Sequence, residues 1–531
     1  MKDIFVEVAI VGAGISGLSC ARLFTQHGFS DYAIFEASDR VGGRTQVDAD
    51  GTDLGGAYIG PTQDRILSII DELKLKLRKT NTKGKTVQYL NGKISHYHGT
   101  IPPVSILGAL DLNSAMIQID KLANEMNLAQ PHLSLNAGWL DKMTGEELLS
   151  RYTWTTEAQA VLRTGIRAIL CVEPCQLSAL YLVWYIGQSG GVKRIFETEN
   201  GAQDSKLVEG AGRIAELMAE KYCVPIKMDG SNRKKRRLYF NMPIRAVDTT
   251  ASSGSKSSNG NECFVKLTSG TATIYANYVV LAIPPVQILR IHYTPFLDAQ
   301  RYQSLQRWPM GCIIKTFVYY DKAFWVDEGY NGSIVCDDGI VLVSYDDTKL
   351  DGSDPCIMGF VLSTSSLLKL TSEERKIRIC DHYSTVFQTD KARVHHCLRY
   401  KEKCWAEEQW VGGCYVGAVG PGVLGACGRE HCRVLNGRVF MAGTEAANLM
   451  IGYMDGAVEA GERIGRNVLV KLGYIDEHNT DITSFPPESV QMPWTELKIT
   501  AFEHAMPSVV TAVGVVLIVL LVALWQLSGL L

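Results

Sequence analysis

The chain has 531 residues, with 53 Lys and Arg against 56 Asp and Glu, and 46% of its residues are hydrophobic. Its length exceeds one ordinary domain and indicates two or three lobes that share a large core. The balanced charge excludes the basic excess of a nucleic-acid-binding protein, and the hydrophobic content excludes wholesale disorder. We therefore expect a folded protein with no nucleic-acid partner.

Along the chain, the first elements form a pattern typical of a dinucleotide-binding βαβ unit. A strand is predicted at Val6 to Val11, followed by the glycine-rich turn GAGISG at residues 12–17. A helix then begins with Ile15 and Ser16, and a second strand covers Tyr32 to Phe35. Strand, turn, helix and strand together are a much stronger signal than the glycine motif alone.

Each glycine of this turn has a distinct expected role. Gly12 permits the tight turn, Gly14 lets the backbone approach a pyrophosphate, and Gly17 lets the helix pack closely against the strand. The free amide groups of the helix N-terminus would then face the phosphates. Glu36 follows Gly17 by 19 residues, the spacing expected for an acid that binds the adenosine ribose. The alternative is an ordinary glycine turn of another α/β protein.

Two further glycine pairs follow the ribose acid, in RVGGRT at Arg40 to Thr45 and in DLGGAYIG at Asp53 to Gly60. They let more backbone approach an extended cofactor, and we expect Arg44 to bind pyrophosphate oxygens through its planar guanidinium group. This pattern resembles the FAD-dependent amine oxidase superfamily rather than a nicotinamide dehydrogenase. The resemblance adds cofactor contacts from Gly43, Ala57 and Tyr58.

The cysteines and histidines do not indicate a metal centre. Fourteen Cys are irregularly spaced, too sparse for a disulfide scaffold, so we expect mostly free thiols in a reducing compartment. Cys171 and Cys175 lack a second partner pair, and His96 and His98 have no Cys nearby. No metal site is predicted.

The middle of the chain differs from the βαβ pattern. Helical runs at Leu110 to Met126 and Ala158 to Leu170 indicate an inserted second lobe, and a strand at Tyr278 to Ile283 marks the return to the first lobe. The basic run Arg233 to Arg237 and the polar stretch Ala251 to Asn261 are interpreted as solvent loops. Contact of the basic run with anionic lipid is the minority alternative.

The C-terminal residues predict a membrane anchor. Val509 to Leu531 is a run of 23 residues without a charge, and as a helix it would span roughly 30 Å of hydrocarbon. A buried core helix is the weaker alternative, because such helices seldom run this long without a charge. Trp494 and Trp525 would lie at the interfaces. The N-terminus carries Asp3 and Glu7 and is unlike a secretory signal, so the folded part is expected to face the cytosol.

Later motifs narrow the resemblance to one family. GGCY at Gly412 to Tyr415, AGTE at Ala442 to Glu445 and GYM at Gly452 to Met454 closely resemble monoamine oxidase. In that family the cysteine of GGCY is joined by a thioether to a ring methyl of the flavin, and this position is Cys414. By sequence alone Cys414 could also be an ordinary buried thiol. The resemblance implies further cofactor contacts from Ile244, Trp405, Thr444, Gly452 and Met454.

The same resemblance assigns three catalytic positions. Tyr415 and Tyr453 match the two aromatic residues on either side of the amine path, and a lining without acids would favour the uncharged amine. Lys315 interrupts an apolar strand, where a lysine is costly unless something uses it. The family implies that it acts through a water on the flavin and assists reoxidation by oxygen. The alternative for each tyrosine is ordinary core packing. The alternative for Lys315 is a lysine at a strand edge whose ammonium reaches solvent.

Further predictions concern the helix that follows Tyr453 and the residues that line the substrate cavity. Gly456, Gly461 and Gly465 give that helix a small-residue face for tight packing, and its N-terminus would point at the flavin ring. Four residues fall at family positions that line or gate the substrate cavity: Leu170, Cys171, Phe196 and Gln203.

Two departures from the family stand out. Ser38 occupies a place where an arginine is usual near the ribose, which predicts the loss of one cofactor contact. Residues 416–421 read VGAVGP where the family has Thr, Tyr and two prolines, and we expect this change to loosen the loop beside the flavin.

The predicted architecture is α/β, with an FAD-binding Rossmann-type domain, an inserted α+β substrate domain and a C-terminal transmembrane helix. The FAD-binding domain is predicted from residues 1–82, 210–300 and 404–470, the substrate domain from 83–209 and 301–403, a membrane-proximal segment at 471–508 and the anchor at 509–531.

The resemblance implies an FAD-dependent oxidase of primary and some secondary monoamines, which uses oxygen and releases an aldehyde and hydrogen peroxide. It also implies the outer mitochondrial membrane, although no basic residues follow the anchor, and a homodimer is left open. Three rivals remain: a polyamine oxidase, a desaturase of an apolar substrate, and a flavin-loaded pseudoenzyme that serves as a binding protein. The first would line its entrance with carboxylates and lack the cysteine of GGCY.

Overall fold

The computed structural model describes residues 2–99, 102–227, 234–250, 264–362, 365–429, 432 and 434–476. The predicted anchor, both of its flanking tryptophans and the polar stretch at 251–261 lie outside these residues. Within the described ranges, no helix has the length and apolar character needed to cross a membrane.

A parallel sheet of five strands forms the centre of the cofactor lobe. Its strands lie in the order Leu238–Tyr239, Tyr32–Phe35, Val8–Val11, Tyr278–Leu281 and Val439–Met441. Every neighbouring pair is parallel. The predicted βαβ opening is confirmed, although its first strand begins at Val8 because the backbone of Val6 pairs with Tyr275 of another sheet. The strand that begins at Tyr278 is also confirmed, and it ends at Leu281.

Helices cover this sheet with unusually close contacts. The first helix, Ile15–Gln26, packs along the last described helix, Met454–Lys471. A Cβ added at Gly461 would lie 2.1 Å from the carbonyl oxygen of Ser16, so the two backbones meet directly. The predicted small-residue face therefore exists. Two further helices of this lobe are Asp64–Glu72 and Gly212–Tyr222.

A second five-stranded sheet, a three-stranded sheet and a short antiparallel pair of strands lie around this lobe. The first runs in the order Lys2–Phe5, Ala272–Ala276, Val265–Ser269, Ile244–Asp248 and His292–Thr294. The second has the order Tyr58–Ile59, Ser205–Leu207 and Leu77–Lys79, and the short antiparallel pair joins Ile226–Lys227 with Lys234–Lys235.

A seven-stranded sheet forms the main β structure of the second lobe. Its order is Arg399–Cys404, Ile313–Tyr319, Cys356–Leu362, Val343–Asp346, Tyr330–Cys336, Lys85–Leu90 and Lys93–Tyr97. The helix Ser372–Val386 packs on it, since Ile379 and Tyr383 share one buried cluster with Ile314 and Val361. The strand Ile313–Tyr319 is buried at all seven positions, as expected from its apolar sequence around Lys315.

The two helical runs predicted in the middle of the chain are confirmed. The main helices of this region are Ile106–Asn124, Gly145–Tyr152, Thr156–Leu170, Ala179–Ser189 and Val192–Phe196. They enclose a core of mainly Leu, Ala and Ile side chains that includes Trp184. Shorter helices elsewhere are Ala137–Leu140, Pro285–Ile288, Ala299–Gln306, Phe324–Asp327, Ser365–Leu368, Lys391–His395 and Val423–Cys427.

Candidate active site

One long cavity of about 600 Å³ is lined by the parallel sheet, the seven-stranded sheet and the helical region. It brings together most of the residues predicted from sequence: Gly12, Gly14, Ile15, Ser16, Glu36, Gly43, Arg44, Ala57, Tyr58, Phe196, Gln203, Ile244, Lys315, Trp405, Cys414, Tyr415, Thr444, Gly452, Tyr453 and Met454. Three predicted residues lie behind the wall instead, namely Gly17, Leu170 and Cys171.

The glycine turn at one end of the cavity has the expected geometry. Gly12 has a φ of +101°, and a Cβ there would lie 2.8 Å from the carbonyl oxygen of Ala282. A Cβ at Gly17 would lie 2.1 Å from the carbonyl oxygen of Gly12, which explains why this glycine packs instead of lining the cavity. At Gly14 the nearest atom to an added Cβ is 3.9 Å away. The turn therefore leaves open space beside Gly14, as the close approach of a pyrophosphate requires.

Glu36 ends the second strand beside this turn. Its Oε2 accepts a 2.7 Å hydrogen bond from the backbone N–H of Ala13. Its Oε1 accepts the N–H of Ser38 at 2.9 Å and the Ser38 hydroxyl at 2.7 Å. Ser38 thus holds the carboxylate in place, a role that the sequence did not reveal.

Arg44 differs from its sequence-based expectation. Its Nη1 and Nη2 bind the Oε1 and Oε2 of Glu445, at 2.5 and 3.0 Å. Nη1 also donates to the carbonyl oxygen of Tyr415 at 2.8 Å. The planar group is thus engaged with the AGTE and GGCY motifs, and its contact with a pyrophosphate stays a prediction.

Lys315 is buried, with only 3% of its surface exposed, and lines the cavity. Its ammonium donates hydrogen bonds to the backbone carbonyl oxygens of Asp53, at 2.6 Å, and Gly55, at 3.0 Å. Burial, and next the nearby ammonium of Lys206, lower the pKa of Lys315 to about 8. A lysine with such a pKa exchanges its proton close to neutral pH.

Cys414 is buried at the other end of the cavity, 3.9 Å from the carbonyl oxygen of Ile313. Its thiol also contacts the thiol of Cys171, and burial together with this contact raises the pKa of Cys171 well above its usual value. Cys171 ends the helix Thr156–Leu170 with a φ of +58°. It therefore supports Cys414 and Tyr415 from behind.

Aromatic side chains surround this end. The ring of Tyr453 stacks on Tyr185 at 6.1 Å, and the ring of Tyr415 meets Phe360 edge to face at 5.9 Å. Burial raises the pKa of Tyr453 to about 12 and that of Tyr415 well above its usual value, so both phenols stay neutral. Tyr185 and Phe360 were missed because neither lies in a recognisable motif.

The loop after Tyr415 is firmly held, which corrects the expectation that its altered sequence loosens it. The carbonyl oxygen of Gly417 accepts hydrogen bonds from the Tyr181 hydroxyl at 2.7 Å and the Trp308 ring N–H at 3.0 Å. Val416 and Val419 are fully buried. A Cβ at Gly417 would lie 2.1 Å from the Trp308 ring, so only a glycine at this position lets the indole pack directly on the loop.

Two glutamates also line the cavity, although a lining without acids was expected beside the tyrosine pair. Glu197 and Glu199 follow Phe196 directly in the chain, and Glu197 is half-buried while Glu199 is exposed. Elsewhere in the described ranges, no group of three His, Cys, Asp or Glu side chains is placed to hold a metal ion.

A glycine turn, the carboxylate of Glu36 and the buried Lys315 line one long cavity, an arrangement typical of flavoprotein oxidoreductases. The sequence profile described as flavin containing amine oxidoreductase matches residues 15–469, so the chain belongs to that family.

Relatives and solved structures agree with this assignment. The chain is 38% identical over 512 residues to amine oxidase (flavin-containing) A of Canis lupus familiaris, covering 95% of this chain and 92% of the relative. It is 36% identical over 512 residues to amine oxidase (flavin-containing) B of Sus scrofa, covering 95% and 93%.

Among solved structures, wild-type putrescine oxidase bound to putrescine superposes with a TM-score of 0.79 at 26% identity, over 88% of this chain and 100% of that one. Cyclohexylamine oxidase from Brevibacterium oxydans gives a TM-score of 0.78 at 26% identity, with the same coverage. The protein is a flavin-dependent amine oxidase, similar to monoamine oxidase over nearly its full length.

Proposed function

We propose that the enzyme oxidises primary and some secondary monoamines, such as arylalkylamines, with oxygen as the electron acceptor. The products are an aldehyde, ammonia or a smaller amine, and hydrogen peroxide. One observation carries this proposal: a single cavity joins the glycine turn and Glu36 to Lys315, Cys414, Tyr415 and Tyr453.

The flavin of this family is proposed to be FAD. Its adenosine half would lie against Gly14, where the turn leaves open space, and against Glu36, whose carboxylate is oriented by a hydrogen bond from the backbone N–H of Ala13. Cys414 would hold the other half covalently, through a thioether to a ring methyl. When bound, the flavin supplies the acceptor for the hydride equivalent lost from the carbon next to the amine nitrogen.

Tyr415 and Tyr453 are proposed to orient the amine. Both phenols are neutral and line the same end of the cavity. Their ring faces orient the amine nitrogen, and the two neutral phenols beside it favour the uncharged amine, whose lone pair the oxidation requires. Phe196 and Gln203 would contact the rest of the substrate, while Leu170 and Cys171 would act by supporting the wall from behind.

Lys315 is proposed to assist the reaction with oxygen. Its ammonium donates to the carbonyl oxygens of Asp53 and Gly55 at the cavity wall, and its pKa is lowered to about 8. It can therefore hold a water, and supply positive charge where oxygen becomes reduced. The N-terminus of the helix Met454–Lys471, which also lines the cavity, adds positive potential at the flavin ring.

We further propose that residues 509–531 anchor the enzyme in a membrane, with the catalytic part facing the cytosol. The outer mitochondrial membrane is the proposed location, as the resemblance to monoamine oxidase implies. A homodimer is the proposed assembly. Fractionation of cells that express the full chain, with and without residues 509–531, tests the anchor.

The decisive experiment measures peroxide release from purified, flavin-containing protein with a panel of phenethylamine, serotonin and benzylamine. We expect release with at least one of them. Bound flavin without peroxide from any amine would favour the alternative, a pseudoenzyme that serves as an anchored binding protein. A polyamine oxidase is the other alternative, and the two glutamates beside Phe196 are the observation that supports it.

A further inference from the structure

A row of three side chains crosses the three-stranded sheet behind the cavity wall. Lys206 is the middle residue of the strand Ser205–Leu207, and the register places it opposite Tyr58 on one side and Arg78 on the other. Residues paired across strands present their side chains on the same face of a sheet. The Lys206 ammonium accordingly lies 5.6 Å from the centre of the Tyr58 ring, and Tyr58 lines the cavity. Lys206 is therefore one side chain behind the wall.

The ammonium of Lys206 is buried between two carboxylates. Only 5% of its side chain is exposed, and its Nζ lies 2.5 Å from Asp347 and 3.9 Å from Asp53. Arg78 also pairs with Asp347, at 2.9 Å, and the backbone N–H of Ala211 donates to Asp53 at 2.7 Å. A buried charge is costly unless it is paired, so these contacts hold the two acids and the lysine together.

Asp53 connects this cluster to Lys315 through its own backbone. Its carbonyl oxygen accepts a 2.6 Å hydrogen bond from the Lys315 ammonium, while its carboxylate faces Lys206 and Ala211. One residue thus holds Lys315 with its main chain and Lys206 with its side chain. A displacement of Asp53 would therefore displace an acceptor of Lys315.

The charges of the cluster do not cancel. Lys315, Lys206 and Arg78 carry three positive charges, against two negative charges on Asp53 and Asp347. The two hydrogen bonds of Lys315 go to neutral carbonyl oxygens, so this ammonium gains least from keeping its proton. Burial and next the charge of Lys206 lower the pKa of Lys315, whereas Asp53 and Asp347 act in the opposite direction.

Other titratable groups face Lys315 from the neighbouring strands. The Cys356 thiol lies on the strand Cys356–Leu362, and burial raises its pKa well above the usual value, so it stays neutral. Lys403 is directly opposite Lys315 in the strand Arg399–Cys404, where it forms an ion pair with Glu408. Lys403 thus has a carboxylate of its own, and Lys206 is the cation with the larger effect on Lys315.

We propose that Lys206 is a positioning residue for the reaction with oxygen, which holds Lys315 in place through Asp53 and repels its ammonium charge. This inference rests on the proposed role of Lys315. It concerns the position and the protonation state of that lysine and changes no step of the proposed oxidation.

The test follows the protonation of Lys315 in two ways. Trace acetylation of the holoenzyme with acetic anhydride across a pH range, read by mass spectrometry, reports the fraction of Lys315 that is free amine. The reagent is small, and Lys315 lines the cavity. Stopped-flow reoxidation of the dithionite-reduced holoenzyme reports the effect on the oxygen reaction. We expect a midpoint near pH 8 in both measurements.

Two variants should move this midpoint in opposite directions. Lys206→Met removes the repelling charge and leaves Asp53 and Asp347 without their shared cation, so the midpoint should rise by about one pH unit or more. Asp347→Asn removes a charge that favours the ammonium, so the midpoint should fall by about half a unit. Lost packing alone would slow the reaction without sorting the two shifts by the sign of the charge.

Two further variants serve as controls. Lys206→Arg keeps a positive charge at this place and should leave the midpoint within about 0.3 unit of the parent. Lys76→Met changes an exposed lysine directly before the strand Leu77–Lys79 of the same sheet, and it should keep both the midpoint and the rate.

Three results would overturn the inference: an unchanged midpoint in Lys206→Met, shifts of the same direction in Lys206→Met and Asp347→Asn, or a shift in Lys206→Arg as large as that in Lys206→Met. If the methionine variant folds poorly, a midpoint that does not fall in Asp347→Asn still decides against it. Failure of the proposed function looks different, because then no amine releases peroxide, while acetylation and dithionite reduction need no amine.

Discussion

The ammonium of Lys315 donates a 2.6 Å hydrogen bond to the backbone carbonyl oxygen of Asp53, whose own carboxylate lies 3.9 Å from the ammonium of Lys206. Lys206 also contacts the Asp347 carboxylate at 2.5 Å, and the backbone N–H of Ala211 donates to Asp53 at 2.7 Å. A buried set of paired charges therefore lies behind Lys315. It fixes the lysine while one positive neighbour helps to lower its pKa.

The first prediction concerns the pH dependence of reoxidation. Because the pKa of Lys315 is lowered to about 8, its ammonium is charged below that pH and loses its proton as the pH rises through it. We expect the rate of oxygen reaction with the reduced enzyme to fall over this window, with an apparent pKa near 8. Stopped-flow measurement of flavin reoxidation, after anaerobic reduction by an amine, gives this rate.

Lys315→Met should remove that inflection and slow reoxidation by about tenfold to a hundredfold, while amine oxidation slows much less. Lys266→Met, on the strand Val265–Ser269 outside the cavity, is the control and should retain the pH profile. Equal slowing of the two half-reactions in Lys315→Met would count against the assigned role.

Local chain chemistry explains why the cofactor end could be predicted from sequence. The roles of Gly12 and Gly17 follow from backbone geometry, since each has a neighbouring carbonyl oxygen where a Cβ would lie. Such constraints act over a few residues and leave a recognisable spacing. The burial of Lys315 was likewise visible, because the residues on both sides of it form a continuous apolar strand.

The substrate end depends on contacts between distant segments, which no local pattern records. Tyr185 meets Tyr453, and Arg44 meets Glu445, only because separate elements converge on the cavity. Gly417 illustrates the same limit: its sequence suggested a loose loop, yet Trp308 from another segment packs on it and bonds its carbonyl oxygen.

A second prediction concerns the covalent link. Acid-precipitated protein should keep its yellow colour, and Cys414→Ala should release the flavin into the supernatant. Cys171→Ala, which removes the buried thiol in contact with Cys414, is the matched control and should keep the colour in the pellet. Absorbance of the pellet and supernatant gives the answer, and free flavin from the parent would exclude the thioether.

A third prediction concerns the contact between the first and last described helices. Gly461→Ala places a methyl group 2.1 Å from the Ser16 carbonyl oxygen, and two packed backbones cannot yield easily. We expect a loss of about 1–3 kcal/mol in the free energy of unfolding, and weaker FAD retention in a Cys414→Ala background, because Ser16 lines the cofactor cavity. Gly138→Ala, where an added Cβ meets nothing within 4 Å, should cost almost nothing in urea titration. Equal stability of the two variants would show that the helices separate readily.

The last prediction concerns Asp455, a buried acid in the first turn of the helix that reaches the cavity. Its Oδ1 accepts the backbone N–H groups of Arg65 at 2.8 Å and Ile66 at 3.0 Å, and burial raises its pKa to about 6. The raised value means that the folded state binds more protons than the unfolded state between about pH 4 and pH 6, so stability falls as the pH rises through this window.

Asp455→Asn keeps an oxygen for both N–H groups but carries no charge. At neutral pH this variant should be more stable than the parent, by about 1–3 kcal/mol, and the two should converge below about pH 4. Asp71→Asn, at an exposed acid in the helix Asp64–Glu72, is the control and should show the pH dependence of the parent. Urea titrations at several pH values measure the difference. A variant less stable than the parent at neutral pH would mean that the two helix N-termini stabilise the carboxylate by more than burial costs.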